Sequence, residues 1–104
     1  APLLIATLIV DKRSGFERYG SYYTSRKDCW QALDNRIATQ TLCLAANDKG
    51  LGTVIMGLYD IDKAEEIIGV PEGQLLMALV AVGYPDEEPG VPKKKTVDDL
   101  LSYR

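Results

Sequence analysis

Two nearly uninterrupted apolar runs, at residues 3–10 and 75–82, are the strongest pattern along the chain. Runs of this length that are rich in Val, Ile and Leu are typical of strands covered on both faces. Turn-forming residues follow each run, at 11–15 and at 83–86, which favours strands over short buried helices. The pattern therefore predicts two strands that each need cover on both faces.

A central helix is predicted from Asp34 or Asn35, either of which could cap its start, to about Lys49. Apolar and small residues surround most of the axis of this helix, as in a buried helix. Gly50 follows at the position where a left-handed C-terminal cap is expected. Before the helix, the polar residues 12–28 show no clear period and predict a surface loop.

A second helix is predicted over residues 61–68, because their apolar positions form one face. Asp60 can cap its start and Gly69 can close its end. A short strand is expected between the two helices. Near the end of the chain, Thr96 followed three residues later by an aspartate resembles a capping box, which predicts a last helical segment ending at Tyr103.

These elements predict an α+β fold with a mixed sheet flanked by helices. Two strands that are buried on both faces need helices on both sides of the sheet, and only two substantial helices are predicted. The chain is therefore not expected to cover its own sheet. An upstream segment, a dimer partner or both must complete it.

Composition narrows the class of function. The 104 residues, 46% of them hydrophobic and 26% charged, fit one small globular domain or a piece of a larger one. A net charge of −3 gives no sign of nucleic-acid binding, and the N-terminal apolar run is too short to span a membrane. Cys29 and Cys43 form neither a C-x-x-C pair nor a disulfide framework, so a reducing cytoplasm is expected.

The chain contains no histidine. This excludes nucleophiles activated by histidine and zinc sites built on histidine, so no metal site and no catalytic side chain are expected. The chemistry is expected to belong to a cofactor instead.

Residues 50–60, with the sequence GLGTVIMGLYD, join the central helix to the second helix. A turn broken by glycines lets backbone N–H groups approach a flat ligand without interference from a Cβ atom. Together with AVGYP at 81–85 and the lysines at 93–95, this stretch resembles the flavin-binding half of the nitroreductase family. Further matching stretches lie at 1–5, 37–52, 67–72 and 96–101.

The resemblance implies an FMN-dependent enzyme that forms an intertwined homodimer. It implies that Ile55, Met56 and Gly57 lie along one face of the isoalloxazine ring, with the Gly57 N–H directed at flavin N5. The alternative interpretation of these residues is a buried strand that ends in a turn at Gly57.

The resemblance also places Lys93, Lys94 and Lys95 near the FMN phosphate, with Lys94 as the best single candidate. A lysine is a compact point charge that suits phosphate without bidentate geometry. The alternative interpretation is a solvated basic cluster near the end of the chain.

The implied function is an NAD(P)H oxidoreductase that passes hydride through FMN to a nitroaromatic, a quinone or a similar small-molecule acceptor. Another flavin chemistry on the same fold, such as dehalogenation, and a non-catalytic dimerisation or assembly fragment are the alternatives. The basic–basic–Ser motif with which the family grips phosphate should precede the first strand, but Lys12-Arg13-Ser14 follows it and is interpreted as a coincidence in a loop. We therefore expect residues 1–104 to be the C-terminal portion of one nitroreductase-like domain, with the N-terminal portion absent.

Overall fold

The computed structural model describes residues 2–104, so Ala1 lies outside the described part. Its elements in chain order are β1 (Leu3–Val10), α1 (Cys29–Asp48), β2 (Gly52–Met56), α2 (Ile61–Ile68), β3 (Gln74–Gly83) and α3 (Val97–Leu100). The strands form one sheet in the order β1-β3-β2. The predicted α+β class is confirmed. The expected mixed sheet differs from what residues 2–104 form, because both outer strands run antiparallel to β3.

The central strand β3 carries the core. Val80 is completely buried, and Ala46 of α1 and Val82 pack with it. The register between β1 and β3 shifts between Thr7 and Leu8. At this irregularity the Thr7 hydroxyl donates to the Ala78 carbonyl over 3.3 Å and accepts from the Ala78 N–H over 3.1 Å. The side chain thus replaces part of the strand pairing that the shift removes.

Helix α1 begins earlier than the sequence suggests. Its first residue is Cys29 and its N-cap is Asp28, which makes no side-chain capping hydrogen bond. The prediction of a cap at Asp34 or Asn35 was wrong, because the first turn of α1 has no side-chain cap and is instead tied to the turn after β1 through Gln31. The loop before the helix ends at Asp28, as predicted.

The end of α1 is as predicted. Gly50 has a φ of 76°, in the left-handed region that glycine adopts without strain. Its N–H donates to the Asn47 carbonyl, and the Leu51 N–H donates to the Ala46 carbonyl, each over 2.9 Å. This pair of bonds is a Schellman motif, which satisfies the last carbonyls of the helix and turns the chain into β2.

The outer face of α1 is not buried within residues 2–104. Ile37 is 60% exposed and Leu44 is 61% exposed. The helix was expected to be buried on nearly all sides, but the sheet covers only the face that carries Thr39 and Ala46. The opposite face has no partner in the described part of the chain.

Helix α2 has the predicted bounds. The Asp60 side chain accepts a hydrogen bond from the Lys63 N–H over 3.1 Å, and Gly69 closes the helix with a φ of 77°. Both caps are short-range signals that the sequence carries in full.

The predicted capping box near the end of the chain is present, because Thr96 and Asp99 cap each other's backbone N–H groups. The helix α3 that it starts ends at Leu100, before the predicted end at Tyr103, since Leu101 has an extended backbone. Across residues 2–104, no helix combines the length and apolar character that crossing a bilayer requires.

Candidate cofactor-binding site

The end of β2 and the turn that follows it contain the predicted ring-binding residues Ile55, Met56 and Gly57. The last pair between β2 and β3 joins Met56 to Leu79. After Met56 the chain continues through Gly57 to Asp60, the N-cap of α2. The turn is therefore a short link between a paired strand and a capped helix, and both ends have defined positions.

Gly57 is open to solvent. A Cβ atom built on it would meet no other atom within 4 Å. Its N–H makes no backbone hydrogen bond to any acceptor in residues 2–104. A peptide N–H that is exposed, unpaired and free of side-chain shielding can donate to a ligand that lies against the backbone.

The side chains of the other two predicted residues, Ile55 and Met56, point to opposite faces of the sheet. Successive residues of a strand point to opposite faces, so Ile55 shares the face of Gly57 whereas Met56 points to the other face. Ile55 pairs with Val80 and is therefore on the side of the sheet that α1 covers, yet its side chain is 52% exposed. A half-exposed aliphatic side chain two residues from a free N–H can offer an apolar surface to a planar ring.

A cleft of about 390 Å³ adjoins Ile55 on this side of the sheet. Its polar lining comes from α1 and includes Arg36 and Gln40, which lie one helical turn apart. These side chains were not predicted to lie at the site. Their four-residue spacing shows that they share a helix face, but only the packing of α1 against the sheet brings that face beside Ile55.

The three predicted lysines lie apart from this turn. Lys93, Lys94 and Lys95 are exposed in the segment between β3 and α3. In the part of the chain that the structure describes, no hydrogen bond ties them to the turn at Gly57. Helix α3, directly after them, makes no contact with the other helices and strands of this part. The described chain thus does not bring the predicted ring-binding residues 55–57 together with the predicted phosphate-binding lysines 93–95.

Tyr59 lies in the turn, and Glu65 lies in the helix that follows it. The Tyr59 hydroxyl oxygen is shielded from solvent and has no hydrogen-bond partner among residues 2–104. Burial, and to a smaller extent the negative charge of Glu65, raise the pKa of Tyr59 above its ordinary value of 10.0. The Glu65 carboxylate accepts a hydrogen bond from the Leu76 N–H over 3.0 Å.

Comparison with known proteins identifies the class to which this fold and turn belong. Residues 1–84 match the model of the Nitroreductase family. The chain therefore belongs to the nitroreductase family, and the resemblance inferred from its motifs is confirmed.

Individual relatives agree with this assignment. An NADPH-flavin oxidoreductase from Vibrio harveyi is 34% identical over 88 residues, which cover 69% of this chain and 37% of that protein. The solved structure of an NADPH:FMN oxidoreductase from Vibrio harveyi complexed with NAD+ superposes with a TM-score of 0.65 at 27% identity, covering 72% of this chain and 34% of that one. A nitroreductase family protein from Clostridium difficile 630 has the same fold, with a TM-score of 0.73 at 23% identity over 99% of this chain and 59% of that one. The chain spans about a third of the length of the curated relatives it matches.

Proposed function

We propose that this chain is the C-terminal portion of an FMN-dependent oxidoreductase that takes hydride from NAD(P)H and delivers it to a nitroaromatic, a quinone or a similar small acceptor. Membership of the nitroreductase family and similarity to flavin oxidoreductases support the class of reaction. The structural observation that carries the proposal is the exposed, unpaired N–H of Gly57 beside the half-exposed Ile55.

The residues present fit a flavin. An isoalloxazine ring needs a flat apolar surface and a hydrogen-bond donor near N5, and the turn offers both without a Cβ atom in the way. When bound, FMN would supply the two-electron chemistry, since N5 can accept a hydride from the nicotinamide and release it to the acceptor. Ile55 would contact the ring, Met56 would contribute its backbone, and the Gly57 N–H would hold N5 in position.

The phosphate end of FMN is assigned to the three lysines, with Lys94 as the first candidate. Their exposure leaves the ammonium groups available to a phosphate. Because Lys93, Lys94 and Lys95 and the turn lie apart in the described chain, we propose that a further protein surface completes the site around the same flavin.

A homodimer is the partner that we propose. Four exposed apolar residues of α1 recur at spacings of three, four and seven, and such a stripe packs against a second helix. These residues are Trp30, Leu33, Ile37 and Leu44. An upstream segment of the same domain would cover the remaining exposed apolar surface. Both cysteines are unpaired, which supports a cytoplasmic location.

Replacing Gly57 tests the site. In the full-length protein, Gly57→Pro removes the N–H and is expected to weaken FMN binding about tenfold or more, because one directed hydrogen bond is lost. Gly57→Ala keeps the N–H and meets no protein atom, but its methyl group would separate the ring from the backbone and is expected to weaken binding as well. Leu58→Ala, at the fully exposed neighbouring position, is the control and should stay within about twofold of the wild type.

Flavin fluorescence during titration with FMN measures all three variants. Wild-type protein that stays colourless after titration would rule out the flavin enzyme and favour the assembly fragment. Flavin binding without reduction of nitro or quinone acceptors, together with reductive removal of iodide from an iodotyrosine, would replace the proposed acceptor class by dehalogenation.

A further inference from the structure

The two ends of the turn at Gly57 are both attached to the same strand. At one end, Met56 pairs with Leu79 of β3. At the other end, α2 begins at Ile61, and β3 is the strand that this helix contacts. Four residues connect these points, so the direction of the Gly57 N–H depends on how firmly α2 is held against β3.

Apolar packing holds α2 only weakly within residues 2–104. None of its residues is buried, and both Ile67 and Ile68 are exposed. A directed polar contact is therefore important for the position of this helix. The Glu65 carboxylate provides it, by accepting the Leu76 N–H over 3.0 Å.

This hydrogen bond occupies a particular place in the sheet. Strand β2 pairs with β3 only from Leu79 to Gly83, so Leu76 lies beyond the end of β2. A strand N–H without a strand partner needs another acceptor. The Glu65 side chain supplies that acceptor at the point where β2 ends, and it thereby fixes α2 three residues along β3 from the last strand pair.

Tyr59, which lies in the turn, is also influenced by Glu65. Its side chain projects from the turn, its hydroxyl oxygen is shielded from solvent, and the charge of Glu65 acts on it. Gly57 is thus held between the paired end of β2 and a helix anchored by Glu65.

We propose that Glu65 is a positioning residue, which fixes α2 against β3 through the Leu76 N–H and so aims the Gly57 N–H at the flavin. The inference rests on the proposed function for its ligand, but the anchoring of α2 can be measured without any flavin. Glu65 itself would not touch the cofactor.

Three variants of the full-length protein test this role. Glu65→Ala removes the acceptor, whereas Glu65→Gln keeps an acceptor oxygen at the same distance from the backbone and loses only the charge. Glu66→Ala removes the same charge from an exposed neighbouring position of α2 and is the matched control.

Amide hydrogen exchange in flavin-free protein is the first measurement. Exchange at the hydrogen-bonded amides of α2, residues 64–68, is expected to accelerate about fivefold or more in Glu65→Ala and to remain near the wild-type rate in the other two variants. The second measurement is FMN affinity at a temperature where all variants are folded. Glu65→Ala should bind FMN about fivefold or more weakly and shift the midpoint potential of the bound flavin, while Glu65→Gln should restore both values to within about twofold.

Unchanged exchange, affinity and potential in Glu65→Ala would overturn the positioning role while leaving the flavin site in place. A Gln variant that exchanges as fast as the Ala variant would also overturn it, because the acceptor oxygen has been kept. Wild-type protein that does not bind FMN would refute the proposed function, and hydrogen exchange would still decide whether Glu65 holds α2 against β3.

Discussion

At the scale of single residues, Gln31 is polar and only 5% exposed. Its Oε1 accepts the Lys12 N–H over 2.6 Å, and its Nε2 donates to Asp11 Oδ1 over 3.2 Å. Lys12 has a φ of 59°, an uncommon conformation for a residue with a side chain. Gln31 therefore joins the first turns of α1 to the tight turn after β1, and its buried polar groups are satisfied by that turn.

Replacing Gln31 should be costly. Gln31→Leu leaves the Lys12 N–H and the Asp11 carboxylate without this partner, so we expect the free energy of unfolding to fall by about 1–3 kcal/mol. Urea unfolding measures the change. Gln40→Leu, at an exposed position of the same helix, is the control and should change stability by less than about 0.5 kcal/mol. Equal stability of the two variants would contradict the role of Gln31.

The raised pKa of Tyr59 predicts how the stability of the fold changes at alkaline pH. Because its pKa is raised above 10.0, the unfolded chain releases the phenolic proton at a lower pH than the folded chain does. Stability linked to Tyr59 is therefore complete below pH 10.0 and decreases as pH rises through that value. Tyr59→Phe removes this loss. It also removes an unpartnered hydroxyl, so at neutral pH it should leave stability unchanged or raise it by up to about 1 kcal/mol.

Melting temperatures between about pH 8 and about pH 11 check this prediction. The wild type should lose stability more steeply than Tyr59→Phe over the alkaline part of the range. Tyr19→Phe, at an exposed position, should behave as the wild type does. Parallel curves for the wild type and Tyr59→Phe would contradict the buried position of this hydroxyl.

At the scale of elements, α2 is short and has little apolar burial, so its caps and its polar contact with β3 carry much of its stability. Asp60, the N-cap of this helix, is also the last residue of the turn at the candidate site. A loosened first turn would therefore affect both the helix and the direction of the Gly57 N–H.

Loss of the cap tests this coupling. Asp60→Ala removes the acceptor for the Lys63 N–H, and we expect the free energy of unfolding to fall by about 1 kcal/mol. Asp60→Ser keeps a capping oxygen and should retain most of the stability. Chemical denaturation monitored by far-UV circular dichroism compares both variants with the wild type. A Ser variant as unstable as the Ala variant would show that the side-chain cap is not the cause.

At the scale of the whole molecule, residues 2–104 leave apolar surface uncovered on α1, on the side opposite the sheet. Ile37 and Leu44 differ by two helical turns and lie on the same outward stripe. A contiguous exposed apolar surface of this kind marks an interaction site, and the proposed homodimer would use it.

Charge introduced into this stripe should prevent association. We expect the double variant Ile37→Glu, Leu44→Glu to sediment as a monomer at concentrations where the wild type is a dimer, because burying two carboxylates in an apolar interface is unfavourable. Ile67→Glu makes the same chemical change on the exposed side of α2 and should leave the dimer intact. A double variant that still forms the dimer would exclude α1 as the interface.

Elements with local signals could be predicted from the amino-acid sequence alone. The apolar run of β1, the caps of α2 at Asp60 and Gly69, and the left-handed Gly50 after α1 each depend on a few neighbouring residues, and the structure confirms them. The glycine-broken turn after β2 and its neighbouring stretches were also sufficient to identify the family.

Features that join distant parts of the chain could not be predicted in this way. Three features depend on packing geometry: both outer strands pair antiparallel with β3, α1 starts at Cys29 where Gln31 contacts the turn after β1, and the Leu76 N–H donates to Glu65. The free N–H of Gly57 belongs to the same group, since a glycine in the sequence shows conformational freedom but not whether its amide is buried or open. Local periodicity and capping follow from neighbouring residues, whereas register, exposure and side-chain contacts follow from which surfaces meet in the folded chain.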